Sequence, residues 1–108
     1  MDLKRIVDEI KNGVVETYYD NGQLESRSFY ENDKLNGLNE DWYENGQLFE
    51  RVNFKDDELE GLREVWYENG QIESRGLFKD GKLNGLYESW YENGKPKEST
   101  MYKDGVKQ

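Results

Sequence analysis

The chain has 108 residues, with 24 acidic side chains against 15 basic ones and a formal net charge of −9. It has no Cys and no His. That excludes disulfides, thiolate metal sites and every Ser-His or Cys-His dyad, and it removes the commonest general base. So acidic a chain repels nucleic acid and anionic lipid, both of which need clustered Lys and Arg. Only 33% of residues are hydrophobic, yet 14% are aromatic. Disordered chains are poor in aromatics, so one ordered domain is expected. The absence of Ala, with 11 Gly and a single Pro, favours strands and turns over helices.

The first segment reads differently from the rest. Leu3, Ile6, Val7 and Ile10 fall on one stripe at helical spacing. Asp2 can cap a start, and Asn12-Gly13 can end it. The expectation is a short amphipathic capping helix over residues 1–12. Its charges interrupt any apolar core, so a secretory signal is not expected there. No apolar run approaches the ~18 residues of a membrane span. Cytoplasmic location is the corresponding expectation.

From residue 13 the sequence repeats. Tyr19-Asp20-Asn21-Gly22, Tyr43-Glu44-Asn45-Gly46, Tyr67-Glu68-Asn69-Gly70 and Tyr91-Glu92-Asn93-Gly94 recur at a fixed interval. Four units follow without insertion, over 13–36, 37–60, 61–84 and 85–108. Each opens on Gly (13, 37, 61, 85) and has Glu at its fourth position (Glu16, Glu40, Glu64, Glu88). The fifteenth position is Arg27, Arg51 and Arg75, then Ser99. Asn-Gly between aromatic-rich runs is a strong hairpin signal and predicts a two-residue type I′ turn. A second turn follows in each unit, at Asn32-Asp33, Asp56-Asp57, Asp80-Gly81 and Asp104-Gly105. The predicted fold is mainly β: a single-layer antiparallel meander of about eight strands in four tandem hairpins, behind the capping helix. The two-residue turn sets Glu16 opposite Arg27, Glu40 opposite Arg51 and Glu64 opposite Arg75. It also sets each Tyr of the Tyr-x-Asn-Gly string opposite the apolar residue at position twelve. Pro96 suits a terminal strand, since it cannot donate to a ladder.

These residues resemble the MORN repeat, and more closely its bacterial variant, the YwqK-type antitoxin family. The motif is Gly61-Leu62-x-Glu64-x-Trp66-Tyr67-Glu68-Asn69-Gly70-Gln71-Ile72, followed by Phe78-Lys79-Asp80-Gly81-Lys82-Leu83-Asn84-Gly85. The resemblance covers 13–108. It implies an elongated hairpin scaffold without catalytic residues. The roles it implies are protein association, phospholipid contact or toxin neutralisation. The second Gly of the eukaryotic Gly-x-Gly is missing: Val15, Asn39, Arg63 and Tyr87 stand there.

Two surfaces are candidate binding sites. One is aromatic: Trp42, Trp66 and Trp90 on one face, with Tyr43, Tyr67 and Tyr91 on the other. One row is expected in the core and the other partly exposed, where peptides or sugars could stack. The second is acidic. The excess negative charge lies wholly in 13–60, with Asp41, Glu50, Asp56, Asp57, Glu58 and Glu60 in the second unit. A solvated face, a docking patch for a basic protein and a Ca²⁺ site compete there. The Ca²⁺ reading lacks the spaced Asp-x-Asp-x-Asp-Gly loop. Paired acids of the glycosidase kind need a cleft that a meander does not supply. The expectation is a non-enzymatic protein-interaction module with a basic protein partner, without cofactor, metal or nucleic acid. A phospholipid-surface module and a scaffold self-associating through its edge strands are the alternatives.

Overall fold

The computed structural model describes residues 11–108. They form one antiparallel sheet of ten strands: β1 (Gly13–Tyr18), β2 (Leu24–Glu31), β3 (Lys34–Leu35), β4 (Gly37–Trp42), β5 (Leu48–Lys55), β6 (Glu58–Trp66), β7 (Ile72–Lys79), β8 (Lys82–Trp90), β9 (Pro96–Lys103) and β10 (Val106–Lys107). The order is β1-β2-β4-β5-β6-β7-β8-β9-β10, with β3 also paired to β2. This is a meander. Ten strands replace the expected eight because β3 and β10 are separate two-residue ladders, whereas β6 and β8 run unbroken through Gly61 and Gly85.

The expected capping helix requires correction. No helix exists among the described residues. Lys11 and Asn12, its expected end, are irregular backbone tied to the first repeat's second turn. The Lys11 carbonyl accepts from Asp33 N–H at 3.0 Å, and Asn12 Oδ1 accepts from Asn32 N–H at 2.9 Å. The rest of that segment, residues 1–10, lies outside the described residues.

The two kinds of turn differ. At the second turn the expectation holds. Asn32 and Asp33, Asp56 and Asp57, Asp80 and Gly81, and Asp104 and Gly105 all have positive φ, as a type I′ turn demands. At the Asn-Gly turn it does not. Only the Gly is left-handed there, Gly46 having φ 89°. Tyr43 N–H donates to the Gln47 carbonyl at 2.8 Å, and Gly46 N–H donates to the Tyr43 carbonyl at 3.0 Å. This is a three-residue loop, a type I turn closed by a glycine bulge. Asn45 stabilises it differently, its Oδ1 accepting from Gln47 N–H at 2.9 Å.

The longer loop moves the register by one residue near the turn. Trp42, not Tyr43, opposes Leu48, and the same holds for Trp66–Ile72 and Trp90–Pro96. A bulge one residue further along restores the alignment, so Glu16, Glu40 and Glu64 do face Arg27, Arg51 and Arg75.

Side chains alternate between faces. One face carries Leu38, Glu40 and Trp42 and their repeats; we call it the open face. The other carries the four most buried side chains, Val52, Val65, Ser74 and Ser89, at 2–7% exposure. No second layer covers them among the described residues. The recurrent bulges strengthen twist and bend the strands, so neighbours on that face cover one another. Gly76 shows how tight this is: a Cβ there would lie 2.9 Å from Leu83 Cδ2 and 3.1 Å from Tyr87 Cδ2.

Candidate functional site

The aromatic rows are built into the repeat-to-repeat contacts. Each Trp lies under an arginine of the preceding repeat. The guanidinium carbons of Arg27, Arg51 and Arg75 stand 5.6, 5.6 and 5.7 Å from the ring centres of Trp42, Trp66 and Trp90. Arg51 and Arg75 also donate to Glu64 and Glu88 at 3.0 Å, again one repeat on. An arginine held by a carboxylate and spread on an aromatic face stacks one hairpin on the next.

The tyrosines do the same at the sheet margin. Tyr19, Tyr43 and Tyr67 donate their hydroxyls to the carbonyls of Trp42, Trp66 and Trp90 at 2.5, 2.7 and 2.7 Å. Asn21, Asn45 and Asn69 donate side-chain N–H groups to the carbonyls of Glu44, Glu68 and Glu92 at 3.3, 3.2 and 3.0 Å. Burial pushes the Tyr43 hydroxyl above its ordinary pKa, and the charges of Glu73 and Glu68 add to the effect. Trp42, Trp66, Trp90, Tyr43 and Tyr67 are all half-buried. Tyr91 alone of the six is exposed, at 51%.

The acidic residues divide into two places. Asp56, Asp57 and Glu58 lie together at the β5–β6 turn and are exposed. Asp57 fixes that turn to the preceding repeat: its Oδ1 accepts from Leu35 N–H at 2.7 Å. Glu60, half-buried, accepts from Asp80 N–H at 3.1 Å. Asp41 and Glu50 are elsewhere, opposite each other across β4 and β5 on the covered face. Arg63 neutralises Glu50 at 2.6 Å. Burial, and then the Glu50 charge, push the Asp41 carboxyl above its usual range. These two are half-buried and lie apart from the turn cluster, towards the opposite end of the hairpin.

The turn cluster gains members that the sequence reading did not include. Asn36 Nδ2 donates to Glu31 Oε2 at 3.2 Å and to Asp56 Oδ1 at 3.5 Å, tying the first two repeats' second turns together. Glu31 and Asp33 therefore continue the lip formed by Asp56, Asp57 and Glu58. The signal was available: Asp33 and Asp57 occupy the same repeat position. Lys34 and Lys55 stand opposite Glu31 and Glu58 in the first two of these turns, while the third and fourth carry Lys79, Lys82 and Lys103 against only Asp80 and Asp104. The lip is thus negative only along repeats one and two.

Among the described residues no three His, Cys, Asp or Glu side chains gather as a metal site. Nor is any helix there long and apolar enough to cross a membrane. The family described as MORN repeat variant matches residues 11–32, 35–56, 59–80 and 83–104, four windows in phase with the hairpins. No curated protein matches the chain.

Proposed function

Since the chain belongs to the MORN repeat variant family, a non-catalytic repeat of the kind that serves as a protein or membrane interaction module, we propose that it is a non-enzymatic module that docks a basic protein through its acidic lip. The observation that carries this reading is the contiguity of Glu31, Asp33, Asp56, Asp57 and Glu58 on two rigid type I′ turns joined through Asn36. Adjacent repeats are two strands apart, about 10 Å. Lysines or arginines of a partner at that spacing meet one turn each, and such a surface acts mainly through steering and specificity. The negative lip disfavours an anionic bilayer over a basic protein. Neutralisation of a toxin is the finer version of this reading, and its support is the resemblance of the motif to antitoxin-like repeats.

The test is affinity capture from the native source with the wild-type chain and with D56N/D57N/E58K. Asn keeps the left-handed turn conformation that Asp56 and Asp57 adopt. The partner should then be purified and its binding measured directly. A partner lost with the variant and released by salt supports the lip. A partner indifferent to both refutes it.

A further inference from the structure

The open face carries one row that the repeat contacts leave uncovered. In repeats three and four Leu62 opposes Leu77, and Leu86 opposes Met101. Leu77 also leans on β8, since a Cβ on Gly85 would lie 3.2 Å from Leu77 Cβ. The four form a continuous apolar stripe across β6–β9, each 38–53% exposed. Soluble surfaces scatter single apolar residues, but a contiguous stripe marks a contact. In repeat two the stripe is broken, because Leu38 opposes Asn53.

We infer that this stripe is the contact between two copies of the chain, packed open face to open face through repeats three and four. Three observations select a second copy. The first is charge. Repeats three and four each contain as many basic as acidic residues, so two such halves meet without net repulsion. The acidic excess stays in repeats one and two, outside the overlap. The second is self-complementarity. A two-fold axis running along the strands between β7 and β8 sets β7 on β8 of the other copy and β6 on β9. Leu77 then meets Leu86, Leu62 meets Met101, and Arg75 meets Glu88. Lys79 and Lys82, partners across β7 and β8 on this same face, bring four lysines together at one end of the seam, and this is the like-charge contact that salt must screen. Both copies offer the same patch, as a closed dimer requires. The third is size. Four strands ~4.8 Å apart and eight or nine residues long present a face of roughly 500 Å² in plan. Side-chain relief makes its accessible area larger, approaching the ~800 Å² per partner of a standard interface. Two sheets so packed form a sandwich about 10 Å thick at the core. The module becomes two-ended, with its acidic lips at opposite extremes.

This inference does not depend on the docking reading, and its test needs no partner. Sedimentation velocity over a wide concentration range should show monomer passing to dimer and stopping there. L77E/L86E should weaken association at least tenfold while leaving the far-ultraviolet circular dichroism unchanged, because both side chains are solvent-facing. V14E, at the equivalent exposed position of repeat one, should leave association as in the wild type. Salt should strengthen the dimer by screening the acidic halves, the opposite of its effect on a basic partner. A chain that stays monomeric throughout, an L77E/L86E variant that dimerises like the wild type, or a V14E variant that is equally impaired overturns it. Growth beyond the dimer would point instead to edge-to-edge pairing and would overturn it too.

Discussion

Repeats two and three share a backbone and almost every bridging contact, yet the same row of the covered face holds opposite chemistry in the two. In repeat two the pair across the hairpin is Asp41 and Glu50; in repeat three it is Val65 and Ser74. The row continues as Ser74 against Ser89. Val65, Ser74 and Ser89 are buried, whereas Asp41 and Glu50 are half-exposed. On the open face the contrast recurs, with Asn53 standing where repeat three has Leu77. The bridging framework of Glu, Arg, Trp and Tyr tolerates this variation because it is made one repeat at a time. Repeat stability is a sum of unit and neighbour terms, so one unit can give up apolar burial for charge while its neighbours hold it. The contrast belongs to this one row and not to whole repeats, since the most buried side chain of all, Val52, is in repeat two.

The sharpest way to break that contrast is at its buried residue. Val65→Ala should destabilise the protein by about 1.5–3 kcal/mol, since a nearly enclosed Val loses its burial and leaves a gap. Urea unfolding would register it. A loss below a few tenths would mean that this row of the third repeat is not tightly packed.

A smaller effect separates bridged from unbridged tyrosines. Tyr43→Phe removes the hydrogen bond to the Trp66 carbonyl and should cost about 1 kcal/mol. Tyr91→Phe, at an exposed hydroxyl, should cost close to nothing. Equal losses would show that the ring, and not its hydroxyl, joins the repeats. The Tyr43 phenol is raised in the folded chain, so it holds its proton longer than the unfolded chain does. Stability should fall as pH rises through the ordinary phenol range towards the folded value, and this alkaline loss should shrink in Tyr43→Phe.

The smallest expected change is a gain. Asp41→Asn removes one of two facing carboxylates and should stabilise the chain at neutral pH by roughly 0.2–1 kcal/mol. The sign with pH is specific. The folded Asp41 carboxyl binds its proton more readily than the unfolded one, so its contribution worsens as pH rises from the ordinary Asp range to its raised value. Chemical denaturation across mildly acidic pH should show that slope in the wild type and a flatter one in the variant. A variant less stable than the wild type at neutral pH would mean that Asp41 is held by its bond from Asn39, 3.3 Å away, more than it is repelled by Glu50.

Much of the architecture was legible because strand sequences carry local information that repetition multiplies. The interval of the Tyr-x-Asn-Gly string set the hairpins. The Asp-rich second turns could take only residues that tolerate left-handed backbone. The facing of Glu40 and Arg51 also came out as expected, although the turn that produces it has another shape. A two-residue loop, and a three-residue loop with a bulge, bring the same two residues together. The sequence could not separate them because Gly is left-handed in both and Asn fits either backbone. The helical stripe of residues 1–12 misled at its end for a related reason: periodicity says which side chains could share a face, not whether the backbone is drawn into a neighbouring turn, as Lys11 and Asn12 are by Asp33 and Asn32.

What the amino acids determined alone was the repeat, its hairpins and the segregation of charge into the first two units, since composition and spacing are properties of the chain. What only the tertiary structure decided was the use of each face. Apart from the exposed Tyr91, both aromatic rows are half-buried between repeats, and the acidic group divides between a half-buried pair on the covered face and an exposed lip. Bulges set how far a lone sheet bends and which of its faces covers itself. That bending arises from contacts between units, and no single unit's sequence contains it.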